Sequence, residues 1–212
     1  MSRRLPVYLL LDTSGSMSGE PIQQVNNGVQ MLAAALRQDP QALESAHLSV
    51  ITFSSDAAVA VPLTELTAFQ PPTLTAGGGT SLGEGLAKVA ERASTELTKT
   101  TATTKGDWKP MVFIMTDGSP TDDWQKGLAE FKKQKWGPVI ACCVDNGDES
   151  VLKQITENVV KISTQDAEAM KKLFKWVSAS IAVSSKAVDQ GGKEPQGLDQ
   201  LPPPPPEVKV VT

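Results

Sequence analysis

The chain has 212 residues, of which 40% are hydrophobic and 21% charged, with a formal net charge of -4 and a pI near 5.1. That length and balance suit one sizeable folded domain and exclude wholesale disorder. The acidic balance excludes a nucleic-acid footprint, which needs a basic patch or stripe. The runs "KKQK" at 132–135 and "KKLFK" at 171–175 read as solvated helix faces.

The first predicted element is a strand at 6–11, "PVYLLL", behind the basic start "MSRRL". Basic-then-apolar order resembles an export signal. Here the apolar segment stops at Asp12 after about seven residues, with no small-residue cleavage site behind it, so a strand beginning near Leu5 explains it better. Nothing approaches the roughly 20 apolar residues of a membrane span. The expectation is a soluble, cytoplasmic chain with neither membrane nor nucleic acid among its partners.

Helix spacing follows at 21–37, where Ile22, Val25, Val29, Leu32 and Leu36 recur every three or four residues behind Pro21. "HLSVITFSS" (47–55) reads as a strand. "AVAVPL" (58–63) returns after a turn at Ser55-Asp56 as its antiparallel edge partner, where Pro62 is tolerated. A helix is predicted at 81–99, a strand at 111–116 ("MVFIMT"), a helix at 122–135 and a strand at 138–144 ("PVIACCV"). A helix at 148–157, a short strand within 157–163 and a last helix at 166–183 complete the series.

Strands without strict alternation, each followed by a helix, imply an open, doubly wound, Rossmann-like α/β sheet. It is mostly parallel, with one antiparallel edge strand and helices on both faces. The domain is expected to occupy 1–183. Residues 184–212 are expected to form a Pro/Gly-rich tail: a flexible polyproline II segment, a strap packed on the domain, a donor of "VKVV" to a sheet edge, a contact to a neighbouring molecule, or a ligand for an aromatic-lined groove. Adjacent Cys142 and Cys143 point to opposite faces of their strand and read as core thiols in a reducing compartment.

In such sheets ligands bind beyond the carboxyl ends of the strands. Three loops gather there: Asp12-Thr13-Ser14-Gly15-Ser16, the turn Gly77-Gly78-Gly79-Thr80-Ser81, and Thr116-Asp117-Gly118. Together they offer carboxylates and hydroxyls only, a set that suits a hard cation such as Mg²⁺ or Mn²⁺. D-x-S-x-S at Asp12, Ser14 and Ser16, then Thr80, then Asp117 in "TDG", resembles the metal-ion-dependent adhesion site of von Willebrand factor A domains, and the resemblance covers residue 5 to about 183. It implies that Ser14, Ser16 and Thr80 ligate the metal directly and that Asp12 and Asp117 act largely through water. Neutral hydroxyls leave the dication's charge partly uncompensated, so it takes an acidic side chain from a protein partner. Ser18, Glu20, Ser119, Thr121, Asp122 and Asp123 would form a polar rim that either selects that partner or merely solvates and caps the loops.

Within that family, "LLLDTSGSMSGEPI", "LTAGGGTSLGEGL" and "FIMTDGSPTDDW" are similar to bacterial TerY-type proteins of tellurite-resistance and stress-response operons. The similarity implies a non-enzymatic adaptor acting with other Ter proteins, or with an associated kinase or phosphatase. It also suggests affinity control through movement of the last helix. The alternative is a metal-dependent phosphohydrolase at the same site. Haloacid dehalogenase phosphatases want a second acid two residues after the first, and Ser14 stands there. Phosphate loops want G-K-[ST], and a serine hydrolase wants a base where His47 is the only histidine. "DGSPTDD" lacks calcium-loop spacing. The plainest alternative, that Asp12 only caps a helix, leaves Thr80 and Asp117 unexplained.

Overall fold

The computed structural model describes residues 3–103, 105–145, 147–163, 167–189 and 197–211. At its centre "LPVYLLLD" forms β1 (Leu5–Asp12), buried along its whole length. β1 lies parallel between β2 (Ala46–Phe53) and β4 (Met111–Thr116). β3 (Ala57–Glu65) closes one side antiparallel to β2, while β5 (Val139–Val144) and β6 (Val159–Ile162) extend the other side in parallel. With β7 (Lys209–Val210) the sheet order is β3-β2-β1-β4-β5-β6-β7, so the chain reverses direction across the sheet at β1.

The two-residue period of a strand divides β1 between two cores. Val7, Leu9 and Leu11 meet α1 (Glu20–Leu36) and α6 (Ala167–Asp189). Tyr8 and Leu10 meet the opposite layer, built from α3 (Leu82–Glu96), α4 (Trp124–Lys132) and α5 (Glu149–Ile155). Burial on both faces is why the strands read as continuous apolar runs. Cys142 and Cys143 follow the same parity, entering one core each, and both are free thiols. A short helix, α2 (Pro40–Ser45), was not expected, although Asp39 caps it by accepting from the amides of Gln41 and Ala42, and Pro40 opens it. Among the described residues no helix is long and apolar enough to cross a membrane.

The C-terminal part differs most from expectation. The last helix does not stop at 183 but runs to Asp189, so the boundary placed after 183 falls inside it. Its polar "SS" is buried, and Ser184 Oγ returns a hydrogen bond to the Ser180 carbonyl (2.9 Å), which hides the helix from a hydropathy pattern. Of the tail expected over 184–212, residues 190–196 and 212 lie outside the described residues. Segment 197–211 is packed. Leu201 and Val208 are buried, Trp176 Nε1 donates to the Pro202 carbonyl (2.7 Å), and Lys172 pairs with Glu207 (2.5 Å). β7 then adds antiparallel to β6, a second antiparallel edge at the opposite end of the sheet from β3 and the sheet-edge addition of "VKVV" that the sequence allowed.

Candidate metal centre

At the point where the chain reverses across the sheet, the carboxyl ends of β1 and β4 are neighbours. Asp12 continues the Tyr8–Leu10 face of β1, and Thr116 continues the Val112–Ile114 face of β4, so the two side chains meet. Thr116 Oγ1 donates to Asp12 Oδ2 (2.5 Å), and the Ser14 amide donates to Asp12 Oδ1 (2.8 Å). Beyond the strand the chain enters a 3-10 turn, Gly15–Met17, whose Met17 side chain is fully buried and pins the loop. This turn sets Ser14 Oγ and Ser16 Oγ 2.9 Å apart, and Ser16 Oγ donates to Asp117 Oδ1 (2.7 Å).

The glycine loop closes from the other side. Gly15 N donates to the Gly78 carbonyl (3.0 Å), and Gly77 N donates to the Thr13 carbonyl (2.8 Å), stitching the two loops by backbone alone. Gly78 has φ +83°, and a Cβ there would lie 2.5 Å from Ser55 Oγ, so the position needs glycine twice over. Ser55 Oγ accepts from Gly79 N (3.0 Å), and Ser81 N donates to the Ser54 carbonyl (2.7 Å); the β2–β3 turn thus carries the loop. Thr80 N donates to Thr121 Oγ1 (3.0 Å), and Thr121 N donates to the Thr80 carbonyl (2.9 Å). Thr80 Oγ1 lies against Gly118, close enough to be 3.3 Å from a Cβ built there. All five residues singled out by the sequence (Asp12, Ser14, Ser16, Thr80 and Asp117) therefore converge.

The cluster has a buried half and an open half. Asp12 and Ser14 are 1% exposed and Thr80 7%, while Ser16 is exposed and Asp117 half-buried. Burial pushes the Asp12 carboxyl above its ordinary range; the hydrogen bonds from Ser14 and Thr116 oppose that, and the negative charge of Asp117 adds to it. No Lys or Arg forms an ion pair with Asp12 or Asp117 among the described residues. A buried carboxylate facing a second one without a cation between them is the electrostatic setting in which a bound cation is favourable. The donor set fits a hard divalent ion. Among the described residues no group of three or more His, Cys, Asp or Glu is placed to hold a metal.

The rim residues divide by what they already contact. Ser18 and Ser119 are exposed, as is Glu20, which accepts from Gln24 Nε2 one turn along α1 (3.1 Å). Asp123 is exposed and pairs with Lys126 (3.3 Å). Asp122 caps α3 rather than the helix it precedes, its two oxygens accepting from Gly83 N (3.2 Å) and Glu84 N (3.0 Å). Thr121 holds Thr80 in place. Sequence reading placed Thr116 in the third loop but gave it no role, and left Ser55 out of the site. The signal for Thr116 was its parity with Asp12, which becomes visible only once β1 and β4 are known to be neighbours.

A search of the curated proteins finds no match to this chain. Solved structures similar to it include proximal thread matrix protein 1 from the mussel byssus (22% identity, TM-score 0.61, covering 85% of this chain and 48% of that one). A von Willebrand factor type A protein from Catenulispora acidiphila is similar at 17% identity and TM-score 0.60, covering 85% and 43%. The pilus adhesin SpaC of Lactobacillus rhamnosus GG, in its open conformation, is similar at 15% identity and TM-score 0.65, covering 85% and 30%. The chain thus spans about half or less of each of these proteins, and at such identities the likeness speaks for the fold. The mussel protein is also known with a zinc-occupied metal-ion-dependent adhesion site (21% identity, TM-score 0.60, covering 85% and 48%). The family model for the von Willebrand factor type A domain matches residues 7–176, most of the chain and every residue of the convergent cluster, and the chain belongs to that family.

Proposed function

We propose that the chain is a metal-dependent protein-interaction module that captures an acidic side chain of a partner protein. The observation that carries this reading is the contact of Ser14, Ser16 and Asp117 around an open face, backed by buried Asp12 and Thr80. Ser14, Ser16 and Thr80 would hold Mg²⁺ or Mn²⁺ through their hydroxyls, with Asp12 and Asp117 acting through water. When bound, the ion supplies an electrophile for an external carboxylate. Oxygen-only ligation favours these hard ions over zinc, which prefers nitrogen and sulfur. Thr116 keeps Asp12 aimed, and the Ser55 and Thr121 contacts hold the glycine loop in register.

No particular observation favours hydrolysis. His47 pairs in register with Pro6, six residues before Asp12 on β1, or about 20 Å away at the rise of a strand. Binding therefore remains the better reading. The finer part of the proposal rests on the sequence phrases alone: a cytoplasmic adaptor of a TerY-type bacterial stress-response system, working with other Ter proteins or an associated kinase or phosphatase. The test is affinity capture from bacterial lysate in Mg²⁺, followed by calorimetry of each captured partner. Binding should disappear in EDTA and with Asp12→Ala; equal affinity in all three conditions refutes the metal-dependent reading. Capture of proteins unrelated to Ter systems would refute the finer one alone.

A further inference from the structure

Beside the candidate metal centre, α3 and α4 leave a valley. Their backbones touch at Gly83 and Gly127: a Cβ on Gly127 would lie 1.8 Å from the Gly83 carbonyl oxygen. Ala87 and Ala90 continue the floor, and the low side chains open two adjoining clefts of about 470 and 580 Å³ that share Glu84, Ala87 and Glu130. The walls are acidic. The cations lining them are already neutralised, with Lys88 on Glu91 (2.7 Å), Lys133 on Glu130 (2.6 Å) and Lys126 on Asp123 (3.3 Å). Glu84 has no ion-pair partner among the described residues, and Asp122 is held by amides rather than by a cation. The valley therefore carries net negative charge next to a site that, on the reading above, accepts a negative side chain.

That juxtaposition constrains the partner. A carboxylate approaching alone would meet the metal but also the field of Glu84 and Asp122. We propose that the α3–α4 valley is the second half of the docking surface and takes Lys or Arg side chains flanking the partner's metal-binding Asp or Glu. The assignment rests on the metal-dependent reading. The spacing follows from the helix. Glu84 lies in the first turn of α3, four residues past Thr80, and Glu91 stands about 10 Å further along the helix. At roughly 3.3 Å per extended residue, the partner's cations fall about two to five positions from its acid.

The test is selection of a displayed loop library on the full chain in Mg²⁺ with elution by EDTA, repeated on a Glu91→Lys/Glu130→Lys variant. Neither residue belongs to the metal cluster, and their ion pairs are with Lys88 and Lys133. Eluted loops should carry one Asp or Glu with Lys or Arg two to five positions away, and should bind the variant at least tenfold more weakly at low salt, with the difference shrinking as salt rises. Loops without that bias, loops indifferent to the reversal, or no EDTA-released loops would each overturn the assignment. Mn²⁺ binding by wild type and variant, read separately by electron paramagnetic resonance, distinguishes the failures. Intact Mn²⁺ binding leaves the metal site standing without the valley, and its absence in wild type removes both.

Discussion

Gly127→Ala tests whether the contact between α3 and α4 is a structural foundation of the metal site. The added Cβ would sit 1.8 Å from the Gly83 carbonyl oxygen and 2.4 Å from its carbonyl carbon, where ordinary contact begins at 3.4 Å. Both partners are backbone, so no rotamer change relieves the clash, and the helices must part by about 1.6 Å. Overpacking of this kind costs up to about 3 kcal/mol, and the replacement of a helical glycine by alanine returns about 1 kcal/mol. The net expectation is a loss of about 2 kcal/mol, read as a lower urea midpoint at unchanged m-value and as a melting temperature lower by roughly 4–8 °C. Thr80 precedes α3, and the Asp117 loop leads into α4, so parting the helices also widens the cluster and should weaken Mn²⁺ binding. Gly77→Ala is the control, because nothing lies within 4 Å of a Cβ there. A Gly127→Ala protein within 0.5 kcal/mol of wild type, or one no worse than Gly77→Ala, would refute the reasoning.

Thr116→Val keeps the shape of the side chain but removes the donor to buried Asp12 Oδ2, so metal-free stability should fall by about 2 kcal/mol and Mn²⁺ affinity by tenfold or more; calorimetry showing neither change contradicts the role given to Thr116. Val208→Ala should cost about 2 kcal/mol in urea unfolding, because its side chain is 3% exposed inside the core shared with α6; an unchanged midpoint would mean that segment 197–211 unfolds separately. Both cysteine thiols are shifted upward by burial, Cys143 to about 11, so native protein at pH 8 should resist a disulfide reagent that titrates both thiols in denaturant. The same shifts set a sign: unfolded thiols ionise first, so stability should decline as pH rises from about 8.5 towards 11, and a flat pH profile of the urea midpoint there would contradict it.

What the sequence disclosed and what it hid follow from the range of each signal. Periodicity is local, so the alternation of strands and helices was legible, and with it the placing of Asp12 and Asp117 at strand ends, although Asp12 is the last residue of β1 and not the first beyond it. Satisfied polar groups erase periodicity. The serines that return hydrogen bonds inside α6 made a helix ending at Asp189 look as if it ended near 183. Tail anchoring rests on long-range partners, Trp176 with Pro202 and Lys172 with Glu207, which no window along the chain can see, so the sequence left several fates open for the tail.

The same limit applied inside the site, and Asp122 shows its consequence. Read locally, it belongs to the start of the helix it precedes, or to a rim facing a partner. In the fold both of its oxygens are engaged by amides of α3 rather than by those of the helix it precedes. Thr121 makes the same crossing by bonding Thr80. Two consecutive residues of the Asp117 loop thus clasp the element that presents Thr80, so the carboxylate and the hydroxyl that would face one ion on the proposed reading are fixed to each other rather than to separate loops. A site preorganised in this way loses little order when it takes up an ion. Asp122 therefore acts first as the clasp between the two halves of the cluster, while Ser18, Glu20, Ser119 and Asp123, exposed residues of the proposed rim, take no part in it.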